Sequence, residues 1–94
     1  MSTIVDGDFE WDAVKAAVNL AKHRVAFDEA ATVFDDPRAI DAPDLEDSER
    51  FVIIGRSSRS RVLFVVHCER GDRVRIITAR VASRAQRELY EEGA

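Results

Sequence analysis

The chain has one cysteine, two prolines, four glycines and only two lysines, and its longest apolar run, Val62–Val66, is five residues. Each scarcity removes a class of protein. A lone Cys68 excludes an intramolecular disulfide and suits a reducing compartment, and beside an apolar run a small buried thiol is its ordinary role. A five-residue apolar run is far too short to span a bilayer. The opening Met1-Ser2-Thr3-Ile4-Val5-Asp6 lacks the basic region and apolar stretch of a signal peptide. No repeat, low-complexity tract, Gly-rich phosphate loop or nucleophile elbow occurs. The reading is one domain over residues 1–94, cytoplasmic, without membrane contact, its 46% hydrophobic residues sufficient for a small core.

What is present is arginine, and it is unevenly placed. Residues 48–94 hold 10 basic and 6 acidic residues, whereas residues 1–47 hold 4 and 12, so a chain of net charge −4 divides into a basic and an acidic half. All ten basic residues from Arg50 to Arg87 are arginine. A planar guanidinium grips phosphate through paired hydrogen bonds, so such asymmetry points to a polyanion.

The pattern predicts an α+β domain of order β-α-α-β-β-β-β-α, with helices packed on an antiparallel sheet. A short extended segment, Asp8–Trp11, leads to a helix capped by Asp12, with Val14, Ala17, Val18 and Ala21 recurring at helical spacing and Lys22-His23-Arg24 at its end. A second helix covers Phe27–Phe34 and stops at Asp35-Asp36-Pro37. Arg38–Ile40 reads as an edge strand and the acidic, Pro43-containing Asp41–Glu49 as a loop. Strands follow over Arg50–Ser57, Arg61–Glu69 and Arg73–Arg80, joined by tight hairpins. A Ser83/Gln86 capping box opens the last helix, placing Ala82, Ala85 and Leu89 toward the sheet.

Two-residue hairpin turns would pair Ser57 with Ser60 and Arg70 with Arg73. One face then holds Phe51, Ile53, Val62, Phe64, Val66, Cys68, Ile77 and Ala79 as core. The other gathers Arg50, Arg56, Arg61, His67 and Arg80 around Val52, Ile54, Leu63, Val65, Val74 and Ile76. A three-residue turn at Gly71 would bring Arg75 onto that face and remove Arg80. Arginines at strand ends are commonly solvated, and a single strand histidine is commonly structural, so the set rather than any one member carries the expectation. No metal ligand set is recognisable, since His67 and Cys68 are consecutive in a strand and point to opposite faces. Neither a metal nor another cofactor is expected.

Phe9-Glu10-Trp11-Asp12 with Lys15, Asn19, Lys22-His23 and Val25-Ala26-Phe27 resembles the opening of the BrnT toxin family. So do Ala30-Ala31-x-Val33-Phe34-Asp35-Asp36-Pro37, Gly55-Arg56-Ser57-Ser58, Val65-Val66-His67-x-Glu69-Arg70-Gly71 and Arg75-Ile76-Ile77-Thr78-Ala79-Arg80. The resemblance covers about Phe9 to Tyr90. It departs from the family pattern at Ala13 for proline, Arg24 for a helix-ending glycine, and Ala26 for a serine cap, the last removing about 1 kcal/mol of helix-start stabilisation.

The resemblance implies a RelE-like ribonuclease toxin that cleaves RNA without metal. Its partners would be RNA and a BrnA-like ribbon-helix-helix antitoxin, through which alone it would reach operator DNA as a co-repressor. Such cleavage needs a base for the 2′-hydroxyl, charge stabilisation at the phosphorane-like transition state and a proton for the 5′-oxygen. Arg61 and Arg80 are placed as the charge-stabilising pair, and His67, the one residue of that face titrating near neutrality, as base or acid. Arg56 would hold a flanking phosphate, with Arg75, Lys22 and His23 as further RNA contacts. Tyr90 would stack on a base, donate a proton or complete the core. The alternatives are a non-catalytic binding module and an inactive toxin remnant acting as co-repressor. The arginine face also suits an anionic antitoxin segment, whereas docking on the N-terminal helices would call for a basic one.

Overall fold

A computed structural model describes residues 2–93. Its first two strands, β1 (Thr3–Asp6) and β2 (Phe9–Asp12), form an antiparallel hairpin through Gly7 at φ 58°. Only the second is marked in the sequence. All four β1 residues are exposed, so no burial periodicity marks the strand. Helix α1 (Ala13–His23) starts as expected, with Asp12 accepting from the Lys15 N–H at 2.9 Å. It ends at Arg24 in the left-handed conformation, φ 59°, which is the backbone requirement that favours glycine there. Helix α2 (Phe27–Thr32) begins at Ala26 without a side-chain cap and tightens into a 3-10 turn, Val33–Asp35.

Four strands and a helix complete the chain: β3 (Ile40–Pro43), β4 (Phe51–Arg56), β5 (Val62–Arg70), β6 (Arg73–Val81) and α3 (Arg84–Glu92). The sheet has six strands in the order β1-β2-β6-β5-β4-β3. It is mixed rather than wholly antiparallel, because β2 runs parallel to β6 through Phe9↔Val74 and Glu10↔Arg75. The edge strand shares only Ile40 with the expected Arg38–Ile40 and runs on into the segment expected as loop. Ile40 to Pro43 pair with Ile54 to Phe51, and Pro43 is tolerated because an edge strand has an unpaired side.

Two irregularities overturn the expected sheet faces. The β4–β5 hairpin turns through Ser58, Arg59 and Ser60, with Ser60 at φ 63°, and Ser57 N–H donates to the Arg61 carbonyl rather than pairing with Ser60. The added turn residue slips β5 by one position against β4, which reverses every side chain of that strand. The Arg70↔Arg73 pairing holds, but a bulge at Val66/His67 then sets Val66 opposite Thr78. Register consequently places Phe51, Ile53, Leu63, Val65, His67, Ile76 and Ala79 on one face. Trp11, Val25, Phe27, Ala30 and Val33 pack there against Ile53, Leu63, Val65, Ile76 and Ala79 as the main core. Val52, Ile54, Arg56, Val62, Phe64, Val66, Thr78 and Arg80 occupy the opposite face. Helix α3 packs on that second face, through Tyr90 against Ile54 and Val62. Ala85 and Leu89, expected to face the sheet, are exposed.

Helix α1 is inverted relative to its apolar pattern. Val14, Ala17, Val18 and Ala21 are exposed and Asn19 is the buried residue. Asn19 Nδ2 donates to the carbonyls of Ala79 (2.8 Å) and Val25 (2.9 Å), while Oδ1 accepts from Ala79 N–H (3.1 Å). Beyond Arg75 the β2 pairing with β6 has ended, and this side-chain amide supplies the donor and acceptor that a neighbouring strand would. A buried hydrogen-bonding requirement thus outweighs the burial of two valines.

Candidate functional site

The four arginines singled out in the sequence fall into two kinds. Arg61 and Arg75 are neutralised by carboxylates. Arg61 Nε donates to Glu29 Oε2 at 3.0 Å, and its Nη2 to Glu29 Oε1 and to the Arg24 carbonyl. The Ser57 hydroxyl donates to the same carboxylate at 2.7 Å, tying α2 to the β4–β5 turn. The Arg61 hydrogen bonds hold the Glu29 carboxyl below its ordinary range against the opposing effect of burial, and the Arg61 pKa is raised in return. Arg75 Nη1 donates to Glu10 Oε2 at 2.6 Å, with both side chains largely covered.

Arg80 and Arg56 meet neutral oxygens. The Arg80 guanidinium lies over the Phe64 ring, 4.2 Å from its centroid, and donates from Nη1 to Gln86 Oε1 at 3.0 Å. Gln86 Oε1 also accepts from the Ser83 N–H in the capping box, so the start of α3 orients Arg80. The exposed Arg56 donates from Nη1 to the Ser60 carbonyl at 3.2 Å and sits 5.9 Å from the centre of the Tyr90 ring. Both arginines belong to the sheet face that carries α3.

His67 is separated from them. Its ring lies on the other face, 4.8 Å edge-on from Phe34 and 6.1 Å from Phe51, and it is 8% exposed. Burial pushes its pKa below 6.5, with Asp41 and Glu69 opposing the shift. Its Nε2 is buried and has no hydrogen-bond partner among the described residues. The expected cluster of Arg50, Arg56, Arg61, His67 and Arg80 on one face is therefore divided by the three-residue turn.

Asp36 joins the elements around Arg56. Its Oδ2 accepts from the Arg56 N–H (2.8 Å) and the Tyr90 hydroxyl (2.6 Å), and its Oδ1 from the Arg38 N–H (3.0 Å). Burial raises the Asp36 pKa, but these hydrogen bonds outweigh it and hold the group below the ordinary value. The same bond, then burial, raises the pKa of Tyr90, which is 4% exposed. Arg38, Arg56, Asp36 and Tyr90 line an open hollow of about 430 Å³. Gly55 allows the close approach behind it, since a Cβ there would meet Val33 Cγ1 at 2.8 Å and Ala39 Cβ at 2.9 Å. Lys22 and His23 lie elsewhere, in a groove between α1 and β6.

Among the described residues no group of three or more His, Cys, Asp or Glu side chains converges as a metal site, and no helix is long and apolar enough to cross a membrane. The sequence matches the model of the ribonuclease toxin BrnT of type II toxin–antitoxin systems over residues 11–86. The chain belongs to the BrnT family. The crystal structure of the ribonuclease toxin BrnT from Brucella abortus superposes with a TM-score of 0.65 at 25% identity, covering 79% of this chain and 94% of that one. No curated protein matches the sequence. The family membership implies a protein antitoxin as partner.

The blocks that carry the BrnT resemblance are largely those that knit the fold. Asn19, Asp36, Gly55 and Ser57 join segments distant in sequence. Sequence reasoning missed Glu29, Asp36, Phe64 and Gln86 as neighbours of the candidate arginines. Gln86 carried a usable signal, because a capping-box glutamine next to a strand-end arginine has an acceptor to share. Glu29 carried none, its partner being 32 residues away.

Proposed function

We propose that this chain is an endoribonuclease toxin acting at the α3-bearing sheet face, with Arg80 as the charge-stabilising residue. The observation that carries the reading is the Arg80 guanidinium, fixed over Phe64 and by Gln86 without a carboxylate partner among the described residues. A guanidinium held by neutral oxygens keeps its charge available to a phosphate, whereas one paired with a carboxylate has spent it. Arg56 holds a flanking phosphate beside the Asp36–Tyr90 hollow. Tyr90 forms the floor of that hollow rather than donating a proton, since its hydroxyl is committed to Asp36. Arg61 acts by fixing the β4–β5 turn, and Arg75 by joining β6 to β2.

The chemistry is metal-independent transfer to the substrate's own 2′-hydroxyl, leaving a 2′,3′-cyclic phosphate and a 5′-hydroxyl. A BrnA-like ribbon-helix-helix antitoxin neutralises the toxin in the cytoplasm, and the pair represses its operon with operator contacts made by the antitoxin. Support comes from BrnT family membership and from the groups on this face, which are the Arg80 and Arg56 guanidiniums with the Gln86 amide, and the Tyr90 hydroxyl held by Asp36.

The burial of His67 favours a second reading, in which the chain binds its antitoxin without cleaving RNA, because the expected base is absent from the Arg80 face. Incubating purified chain with RNA in excess EDTA separates the two. Cleavage with cyclic-phosphate termini supports the ribonuclease. Intact RNA, with or without divalent ions, supports the second reading.

A further inference from the structure

The outer face of α1 is an apolar surface with nothing packed on it among the described residues. Val14 is 64% exposed, Val18 58% and Leu20 49%, with Ala17 and Ala21 exposed between them. Scattered exposed apolar residues are ordinary, but these share one short helix whose single buried residue is polar. Val14 and Val18 lie one helical turn apart and line a groove of about 260 Å³, completed on the β6 side by Ile77 and Thr78. Lys15, Lys22 and His23 border the same groove. Its charge contrasts with the acidic balance of residues 1–47 as a whole.

We propose that this groove is the anchor site for the antitoxin, and that its occupant is an acidic amphipathic segment. Apolar side chains of that segment would fill the space between Val14, Val18 and Ile77, and its carboxylates would meet Lys15 and Lys22. The proposal rests on the type II toxin reading, which requires a protein partner. Charge complementarity selects an acidic segment rather than the basic one that the composition of the N-terminal half suggested. Continuity along β6 links the anchor to the site. Ile77 and Thr78 precede Arg80 in the same strand, so a segment leaving the groove along β6 reaches the guanidinium. Lys22 and His23, which the sequence offered as RNA contacts, take part in partner recognition instead.

The test uses the full chain and the protein encoded by its adjoining antitoxin reading frame, with binding measured by calorimetry and RNA cleavage assayed separately. The double variant Val14→Asp/Val18→Asp changes only exposed side chains, so it should fold and retain the chain's own cleavage activity. Its antitoxin affinity should fall on the order of a hundredfold, the scale of losing central apolar anchors. Lys15→Glu should weaken binding and flatten its salt dependence. Hydrogen exchange of the unmodified complex should show protection in α1 and at residues 77–78, which keeps the proposal testable if the double variant unfolds. Unchanged affinity in the double variant, or protection that omits α1, overturns it. So does a wild-type chain that self-associates through this face while the double variant is monomeric and binds antitoxin normally. A double variant with poorer RNA affinity and normal antitoxin binding would make the groove an RNA contact and also overturn it. Failure of the wild-type chain to cleave RNA, with binding still lost in the variant, would contradict the enzymatic reading and leave the anchor site standing.

Discussion

Glu29 of α2 and Arg61, at the end of the β4–β5 turn, form a two-pronged ion pair, in which Arg61 Nε and Nη2 donate to the two carboxylate oxygens. The Glu29 side chain is 6% exposed and that of Arg61 31%, so the pair is partly screened by water. Together with the Ser57 hydroxyl on the same carboxylate, the pair ties α2 to the β4–β5 turn.

Glu29→Gln should therefore destabilise the chain by about 2 kcal/mol, less than a fully buried broken pair because Arg61 retains access to solvent. The folded-state pKa of Glu29 lies below its unfolded value of 4.5, so its contribution is present above pH 4.5 and is lost as pH falls through the lowered folded pKa. Denaturant midpoints measured across that acidic range should fall less steeply in Glu29→Gln than in the wild type. Arg61→Ala should lower stability comparably while the folded fraction still cleaves RNA.

His67 makes a separate pH statement. Burial depresses its folded pKa below the unfolded 6.5, so the neutral ring contributes stability that is present above pH 6.5 and lost as pH falls through the folded pKa. His67→Phe should remove that acid-sensitive component from thermal melts between pH 7 and pH 5, a window about the ordinary histidine pKa. Its cleavage pH profile should match that of the wild type. A pH–rate inflection that disappears in His67→Phe would instead return the ring to acid–base chemistry.

Arg24 holds a backbone conformation, φ 59°, that carries a steric cost for any residue with a Cβ. Arg24→Gly should raise stability by about 1 kcal/mol, readable as a higher denaturant midpoint with an unchanged slope. The Arg61 contact is to the Arg24 carbonyl and survives the substitution.

Local signals in the sequence placed α1, α2, α3 and the three long strands, because Asp12, Pro37 and the Ser83/Gln86 box act within a few residues of themselves. The Arg24 cost was legible for the same reason. The site was less legible because it depends on register, and register turned on Ser60 adopting a positive φ without being glycine. The bulge at Val66/His67 had no local mark either. For α1, apolar spacing marks the helix but not the face it buries. Asn19 sets that face through partners at Val25 and Ala79 that only the folded chain brings near.

The most direct test of the account is RNA cleavage by Arg80→Ala beside Arg80→Lys and the wild type, with circular dichroism confirming the fold of each. Among the described residues Arg80 pairs with no carboxylate whose loss would unfold the chain, and its partners are Phe64, Gln86 and Val81. Loss of one positioned charge stabiliser should cost Arg80→Ala on the order of a hundredfold or more in rate. Arg80→Lys should recover only part of that, since an ammonium cannot reproduce the planar paired contact. Folded Arg80→Ala that cleaves RNA at the wild-type rate would contradict the placement of the active site on this face.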